Sequence, residues 1–291
     1  MSNIAIVTDS NSGITQAMAQ ELGIFVVPMP FYINGELYLE DINLTHTQFY
    51  EKLMDDNAEI STSQPSPGDV MDLWDEILKD HDSIVYIPMS SGLSGSCQSA
   101  MMLAEDYDGK VQVVDNLRIS VTLLQSVEEA KMLAEAGKSA LEIKELLEEH
   151  CAESCIYLAP GTLEYLKKGG RITSAAAAIG SVLKITPVLQ LLGGKVDAFK
   201  KCRGMKSAKN TILKAIQDSI DSKFAGLDPI KDLKIGVVYG NNYEDAKVWK
   251  EEVLAAFPGI ECYEASMSLS VACHVGPEVL AATVTKKLEI K

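Results

Sequence analysis

Short apolar runs alternate with amphipathic segments along the first half of the chain, which is the pattern of strands laid against helices. Residues 4–7 (Ile-Ala-Ile-Val) read as a buried strand, and 14–22 as a helix stopped by Gly23. Residues 25–33 are extended, and Pro28 and Pro30 put that stretch at a sheet edge or a bend. Ser66 is a candidate N-cap and Pro67 a good first-turn residue for a helix over 69–78. Strands at 84–89 and 111–114 flank a helix at 94–105, and two helices follow at 121–136 and 140–150. Strand–helix–strand alternation predicts a mainly parallel sheet with helices on both faces.

The second half reads differently. A strand at 156–159 leads into a helix at 162–166 and then Lys167-Lys168-Gly169-Gly170-Arg171. Residues 175–178 are a run of small side chains where helices or a ligand could approach closely. Residues 189–192 and 195–200 pattern as a hairpin turned by Gly193-Gly194. A helix at 207–222, a strand at 235–239, a helix to 256, a strand at 260–264 and a final helix to 288 close the chain. The fold class expected is α/β with two domains. The first, 1–155, carries the mainly parallel sheet, and the second, 156–291, is an α/β domain with a mixed sheet.

Composition narrows the function classes. At 47% hydrophobic and 23% charged residues, the chain has the balance of a folded globular protein. Its net charge of −15 argues against nucleic acid as a partner, because that affinity comes from Lys and Arg neutralising phosphates. The same repulsion argues against broad docking on anionic membranes, though a local basic patch could allow transient contact. There is no basic segment followed by a long apolar one at the N-terminus and no run of about 18 apolar residues, so a cytoplasmic location is expected. The six cysteines form no CxxC pair. Cys151 and Cys155 lack a second ligand pair, so no metal or other cofactor is expected.

Three hydroxyl-rich turns stand where strands end or helices begin: Thr8-Asp9-Ser10-Asn11-Ser12-Gly13, Ser61-Thr62-Ser63-Gln64-Pro65-Ser66-Pro67-Gly68 and Ser90-Ser91-Gly92-Leu93-Ser94-Gly95-Ser96. In an open parallel sheet, ligands gather at the carboxyl ends of the strands. Helix N-termini there offer free N–H groups to an anion, and hydroxyls donate without changing charge. The same residues also serve as plain caps and turn formers. Gly92-Leu93-Ser94-Gly95-Ser96 is one glycine short of a nucleophile elbow, and Ser94, His274 and Asp9 could compose a serine esterase or thioesterase triad. Gly137-Lys138-Ser139 resembles the end of a P-loop, but Met132 replaces the required glycine and no strand precedes it. His46, His81 and His150 read as solvated surface groups, whereas His274 lies in a turn expected to open the final helix.

Taken in order, these segments resemble the DegV family. The resemblance rests on Val7-Thr8-Asp9-Ser10, Ser61-Thr62-Ser63-Gln64-Pro65, Ser90-Ser91-Gly92-Leu93-Ser94-Gly95-Ser96 and Val114-Asp115. It continues through Leu163-Glu164-Tyr165-Leu166-Lys167-Lys168-Gly169-Gly170-Arg171-Ile172 and His274-Val275-Gly276-Pro277, and so covers essentially the whole chain. It implies a lipid tunnel and the role of the fatty-acid-binding subunit of a bacterial fatty acid kinase. In that role the chain does no catalysis. It holds a long-chain fatty acid, an ATP-dependent kinase subunit phosphorylates it, and an acyltransferase carries the acyl phosphate into phospholipid synthesis. Thr62, Ser94 and His274 would bind the carboxylate, supported by Asp9, Ser10, Ser63 and Gly95. Arg171 and Arg203 would face the phosphate or the kinase. The family's usual glycine after His-x-Gly-Pro is here Glu278, whose carboxylate would repel an anion if it pointed inward.

Overall fold

The computed structural model describes residues 3–55, 58–173, 185–192 and 194–289. The small-residue run at 175–178 and Gly193 lie outside the described residues. The chain divides into two compact units: Met1–Phe49, Asn57–Ala152 and Leu288–Lys291 form the first, and Tyr50–Asp56 with Glu153–Lys287 the second.

In the first unit, strands β1 (Ile4–Asp9) and β2 (Phe25–Val27) belong to a parallel sheet. β3 (Pro30–Ile33), β4 (Glu36–Leu39) and β5 (Ile60–Thr62) form a separate antiparallel sheet ordered β4-β3-β5. β6 (Ser83–Ile87) and β7 (Val111–Val113) complete the parallel sheet, ordered β2-β1-β6-β7. The extended 25–33 stretch is therefore two strands in two sheets. Pro28 lies between them and Pro30 is the first residue of β3, where its missing N–H breaks no internal ladder. The short β4 and β5 carried no clear alternation in sequence.

Local chemistry accounts for the helix boundaries. Thr15 Oγ1 accepts from Met18 N to start helix Gln16–Leu22, and Gly23 ends it at φ +65°. Ser66 Oγ accepts from Asp69 N and Pro67 opens helix Pro67–Ile77, as the sequence predicts. That helix buries Val70, Trp74 and Ile77, one stripe of a 3.6-residue repeat, against Val7, Tyr86, Cys97 and Ala100. The P-loop look-alike is a helix boundary. Gly137 takes φ +88°, and Ser139 begins helix Ala140–Glu149 in a capping box with Glu142.

The second unit is built on one six-stranded mixed sheet. Its strands are β8 (Ser154–Pro160), β9 (Thr186–Leu192), β10 (Lys195–Cys202), β11 (Leu233–Tyr239), β12 (Glu261–Ser266) and β13 (Val279–Lys286), in the order β10-β9-β8-β13-β11-β12. Only β11 and β12 run parallel, joined through helix Tyr243–Ala256. The β9–β10 hairpin forms as expected. The final helix to 288 does not. Helix Leu269–Val275 stops at Gly276, φ +92°, and Pro277, and the chain then enters β13 between β8 and β11. Both faces of this central strand are buried over 279–285, so its apolar and β-branched residues, Thr283 and Thr285 among them, lack the period that separates strand from helix. Trp249 sits fully buried in this core and donates from Nε1 to Ala281 O of β13 at 3.0 Å.

Candidate functional site

The order β2-β1-β6-β7 means that the chain leaves β1 to one side and returns to its other side as β6. The crevice outside the carboxyl ends of β1 and β6 is thus the topological switch point, the usual ligand position in such sheets. The turns after β1 and β6 meet there. Asp9 is fully buried at the end of β1: its Oδ1 accepts from the backbone N and Nδ2 of Asn11, both at 3.0 Å, and its Oδ2 accepts from Met89 N at 2.9 Å. Burial pushes its carboxyl up to about 6, against the lowering effect of those three N–H groups and with a further push from Glu40. Ser10 Oγ accepts from Met29 N at 3.1 Å, and Ser12 Oγ donates to Asp9 O at 2.9 Å.

The turn after β6 is a chain of short-range bonds. Ser90 O accepts from Leu93 N at 3.1 Å and Ser94 N at 3.2 Å, and Ser90 Oγ accepts from Gly92 N at 3.1 Å. Ser94 Oγ accepts from Ser96 N at 3.2 Å, which caps helix Ser96–Ala104 one residue after Gly95. Its own proton is used by none of the described residues, so a half-buried O–H remains to be donated at a helix N-terminus. The 61–68 turn reaches the same place through Gln64, whose Oε1 accepts from Ser99 Oγ at 3.2 Å. That oxygen would lie 3.4 Å from a Cβ at position 95, an ordinary van der Waals contact. Thr62 is half-buried at the end of β5, opposite Phe31, and Ser63 Oγ turns back to donate to Gln64 O at 2.9 Å.

Several residues that hold this site carried little sequence signal. Asn11 and Gln64 lay inside turns read only for their hydroxyls. Arg118, a lone loop arginine in sequence, is buried: it donates to Ser126 Oγ and His150 O, both at 3.0 Å, and lies 3.5 Å from Glu129. Its backbone O accepts from Ser90 N at 2.9 Å, while Asp115 Oδ1 accepts from Ser91 N at 3.2 Å, so the loop after β7 braces the Ser94 turn. Two residues of that loop, Leu117 and Ser120, take positive φ of 55° and 56°. Cys97, beneath the turn, has its thiol pushed up to about 12 by burial and is chemically inert.

In the second unit His274 is the last-turn residue of helix Leu269–Val275, at the end of a helix and not at the start of one. Burial, and secondarily the Arg171 charge, lower its pKa to about 4, so the imidazole is neutral at physiological pH. Helix Glu164–Gly169 packs against it so closely that a Cβ on Gly169 would overlap its Nδ1. The exposed Arg171 donates from Nη1 to Gly169 O. His274 and Arg171 are therefore neighbours. Arg203 is exposed beyond the end of β10, whereas the Ile172–Val196 bridge sets Arg171 beside its start; a strand's length, roughly 20 Å, separates their backbones. Glu278 is exposed and folded against Gly161, where a Cβ would meet its Oε2 at 2.7 Å. The other histidines are half-buried, not solvated: His46 lies 3.6 Å from Glu40, His81 packs edge-on against Phe25, and His150 ends helix Ala140–Glu149.

Among the described residues no helix is long and apolar enough to cross a membrane, and no group of acidic, His and Cys side chains is arranged to hold a metal. Residues 3–287 match the family model described as "Uncharacterised protein, DegV family". A DegV domain-containing protein of Deinococcus radiodurans is 35% identical over 206 residues, 71% of this chain and 73% of its own length. The structure reported as showing fatty acid binding of a DegV family protein from Thermus thermophilus superposes with a TM-score of 0.88 at 32% identity, covering 98% of this chain and 99% of the other. That of DegV from Bacillus subtilis, reported as a fatty acid binding protein, gives 0.86 at 29% identity over 99% and 100%.

Proposed function

This chain belongs to the DegV family, and from that premise we propose that it holds a long-chain fatty acid by its carboxylate. The observation that carries the reading is the Ser94 hydroxyl, which accepts one bond from Ser96 N and keeps its proton for a ligand at the switch point of the parallel sheet. Fatty acid binding by the relatives from T. thermophilus and B. subtilis supports the same ligand here. Desolvating a carboxylate is costly unless donors replace its water. Neutral donors such as Ser94 and Thr62 suit that task in a chain of net charge −15. His274, neutral at physiological pH, can donate one ring N–H without adding charge. Each buried methylene adds about 0.8 kcal/mol, so the tail supplies the affinity and the hydroxyls fix the head.

In the full reading the chain presents its acid, in the cytoplasm, to a separate ATP-dependent kinase subunit. Arg171 and Arg203 face that subunit or the phosphate, and the acyl phosphate passes to an acyltransferase at a transient membrane contact. Mass spectrometry of lipid extracted from the purified protein is the first test, with a stoichiometric fatty acid as the expected result. A protein that arrives empty and takes up no acid on reloading overturns the reading. Unchanged acid binding in both Ser94→Ala and Thr62→Ala overturns the assignment of the carboxylate site.

A further inference from the structure

Asp9 is a buried carboxylate that accepts three N–H bonds, and it bonds across the switch point. Oδ1 serves the turn after β1 through Asn11, and Oδ2 serves the turn after β6 through Met89 N at 2.9 Å. Met89 immediately precedes Ser90, whose carbonyl accepts from Ser94 N. We propose that Asp9 is the positioning residue of the 90–96 turn, and that protonating its carboxylate loosens that turn and weakens the grip of Ser94 on an anionic headgroup. This rests on the fatty-acid reading and adds a means of regulating the same site. The proton must sit on one of two oxygens that both face N–H groups. Protonation turns the charge-assisted bond from Met89 N–H to Oδ2 into a weaker neutral one, and the anchor of the turn loosens.

The surroundings favour titration under mildly acid conditions. Burial already raises this carboxyl to about 6, and Glu40, itself buried, adds like-charge repulsion, with the His46 imidazole 3.6 Å from its Oε1. From β6 and the helix after it, Tyr86 and Cys97 face Asp9 as uncharged groups, each with its own pKa raised. Helix Val121–Glu135, packed on β1 and the turn after it, brings Glu129, paired with Arg118, and Lys131, which donates to Leu22 O. Protonation also removes a negative charge near the anion site, which by itself would favour the ligand. The three N–H dipoles converging on Asp9 already offset that charge, whereas the Met89 anchor acts directly on the backbone that carries Ser94, so loosening sets the sign. By linkage, a bound anion in turn lowers the Asp9 pKa.

The test measures binding of hexadecanesulfonate, whose head stays anionic, to the full chain from pH 4.5 to 8, with the Met89 backbone amide followed by NMR. Wild-type affinity is expected to fall at least tenfold below a midpoint near pH 6, in step with the Met89 signal. Asp9→Asn is expected to bind weakly at every pH, and Glu40→Gln to match wild type at pH 8 with its midpoint moved to lower pH. Affinity that stays level or rises on acidification overturns the coupling, and should Asp9→Asn not fold, an unmoved midpoint in Glu40→Gln does so. If palmitate binds at pH 8 and the sulfonate does not, the wild-type and Glu40→Gln profiles are compared on palmitate, whose own titration they share. If neither ligand binds at any pH, the fatty-acid reading falls and takes this one with it.

Discussion

The two units lock their turns by different means. In the first, side chains do it: Asp9, Ser10, Ser12, Ser90 and Ser94 each bond a backbone group within or across a turn. In the second, around residues 274–278, glycines do it by letting other parts of the chain come close. Gly161 lies against Glu278, Gly169 against His274, Gly240 against the Pro277 carbonyl and Gly276 against Tyr165. A turn held by hydroxyls and a carboxylate can be adjusted in small steps, by a proton or by one substitution. A turn held by close approach accepts no added methyl and so behaves as a fixed frame. Burial acts in opposite directions on two of the groups: desolvation raises the acid Asp9 in the first unit and lowers the base His274 in the second.

The largest effect should come from breaking the frame. Gly240→Ala forces a Cβ into Pro277 O, and we expect urea unfolding of the second unit to show a loss of about 3 kcal/mol or more. The chain's two tryptophans divide between the units, Trp74 in the first and Trp249 in the second, so Phe replacements let fluorescence follow each unit alone.

The next effect is an opposition in pH. With a folded-state pKa of about 6 against an ordinary 3.8, Asp9 binds its proton more readily in the folded chain, so its contribution to stability is lost as pH rises from about 4 to 6. With about 4 against 6.5, His274 gives its proton up on folding, so its contribution is lost as pH falls from 6.5 to 4. Each is worth at most about 3 kcal/mol. Relative to wild type, the stability of Asp9→Asn should therefore rise with pH across its window and that of His274→Gln should fall. Differences of the same sign in urea titrations would remove the contrast between the units.

Smaller effects sharpen the comparison. Ser94→Ala should weaken fatty acid binding by roughly 1.5–3 kcal/mol, about ten- to hundredfold, by calorimetry, with thermal stability little changed. Ser139→Ala removes a capping box remote from the ligand turns, and should cost about 1 kcal/mol of stability in chemical denaturation without altering acid binding.

The sequence was most legible where one rule acted alone. Ser66-Pro67 starts a helix and the β9–β10 stretch forms a hairpin because cap and turn chemistry are local. The parallel sheet was legible from alternation, and so was the convergence of its hydroxyl turns, because ends of parallel strands share a face. The final strand was not, since burial on both faces erases the period. Nor was Arg118, because a lone arginine in a loop carries no mark of the Glu129, Ser126 and His150 groups that enclose it. The roles of Asp9 and His274 depend on burial, which sequence spacing does not encode. Glu278 illustrates the same limit: the exchange is visible in sequence, but its direction, against Gly161, is a matter of backbone path.

The position of β13 bears on how the protein is made. It is synthesised after β8 and β11, yet it stands between them and pairs with both along most of its length. Until the ribosome has released it, those two strands present open hydrogen-bonding edges, the hazard that recruits chaperones to nascent chains. The parallel sheet of the first unit, whose strands all lie before residue 114, has no such wait. Truncation or stalling inside β13 should therefore yield an aggregating product, while a nascent chain stalled once residue 152 has emerged should already hold a protease-resistant parallel sheet.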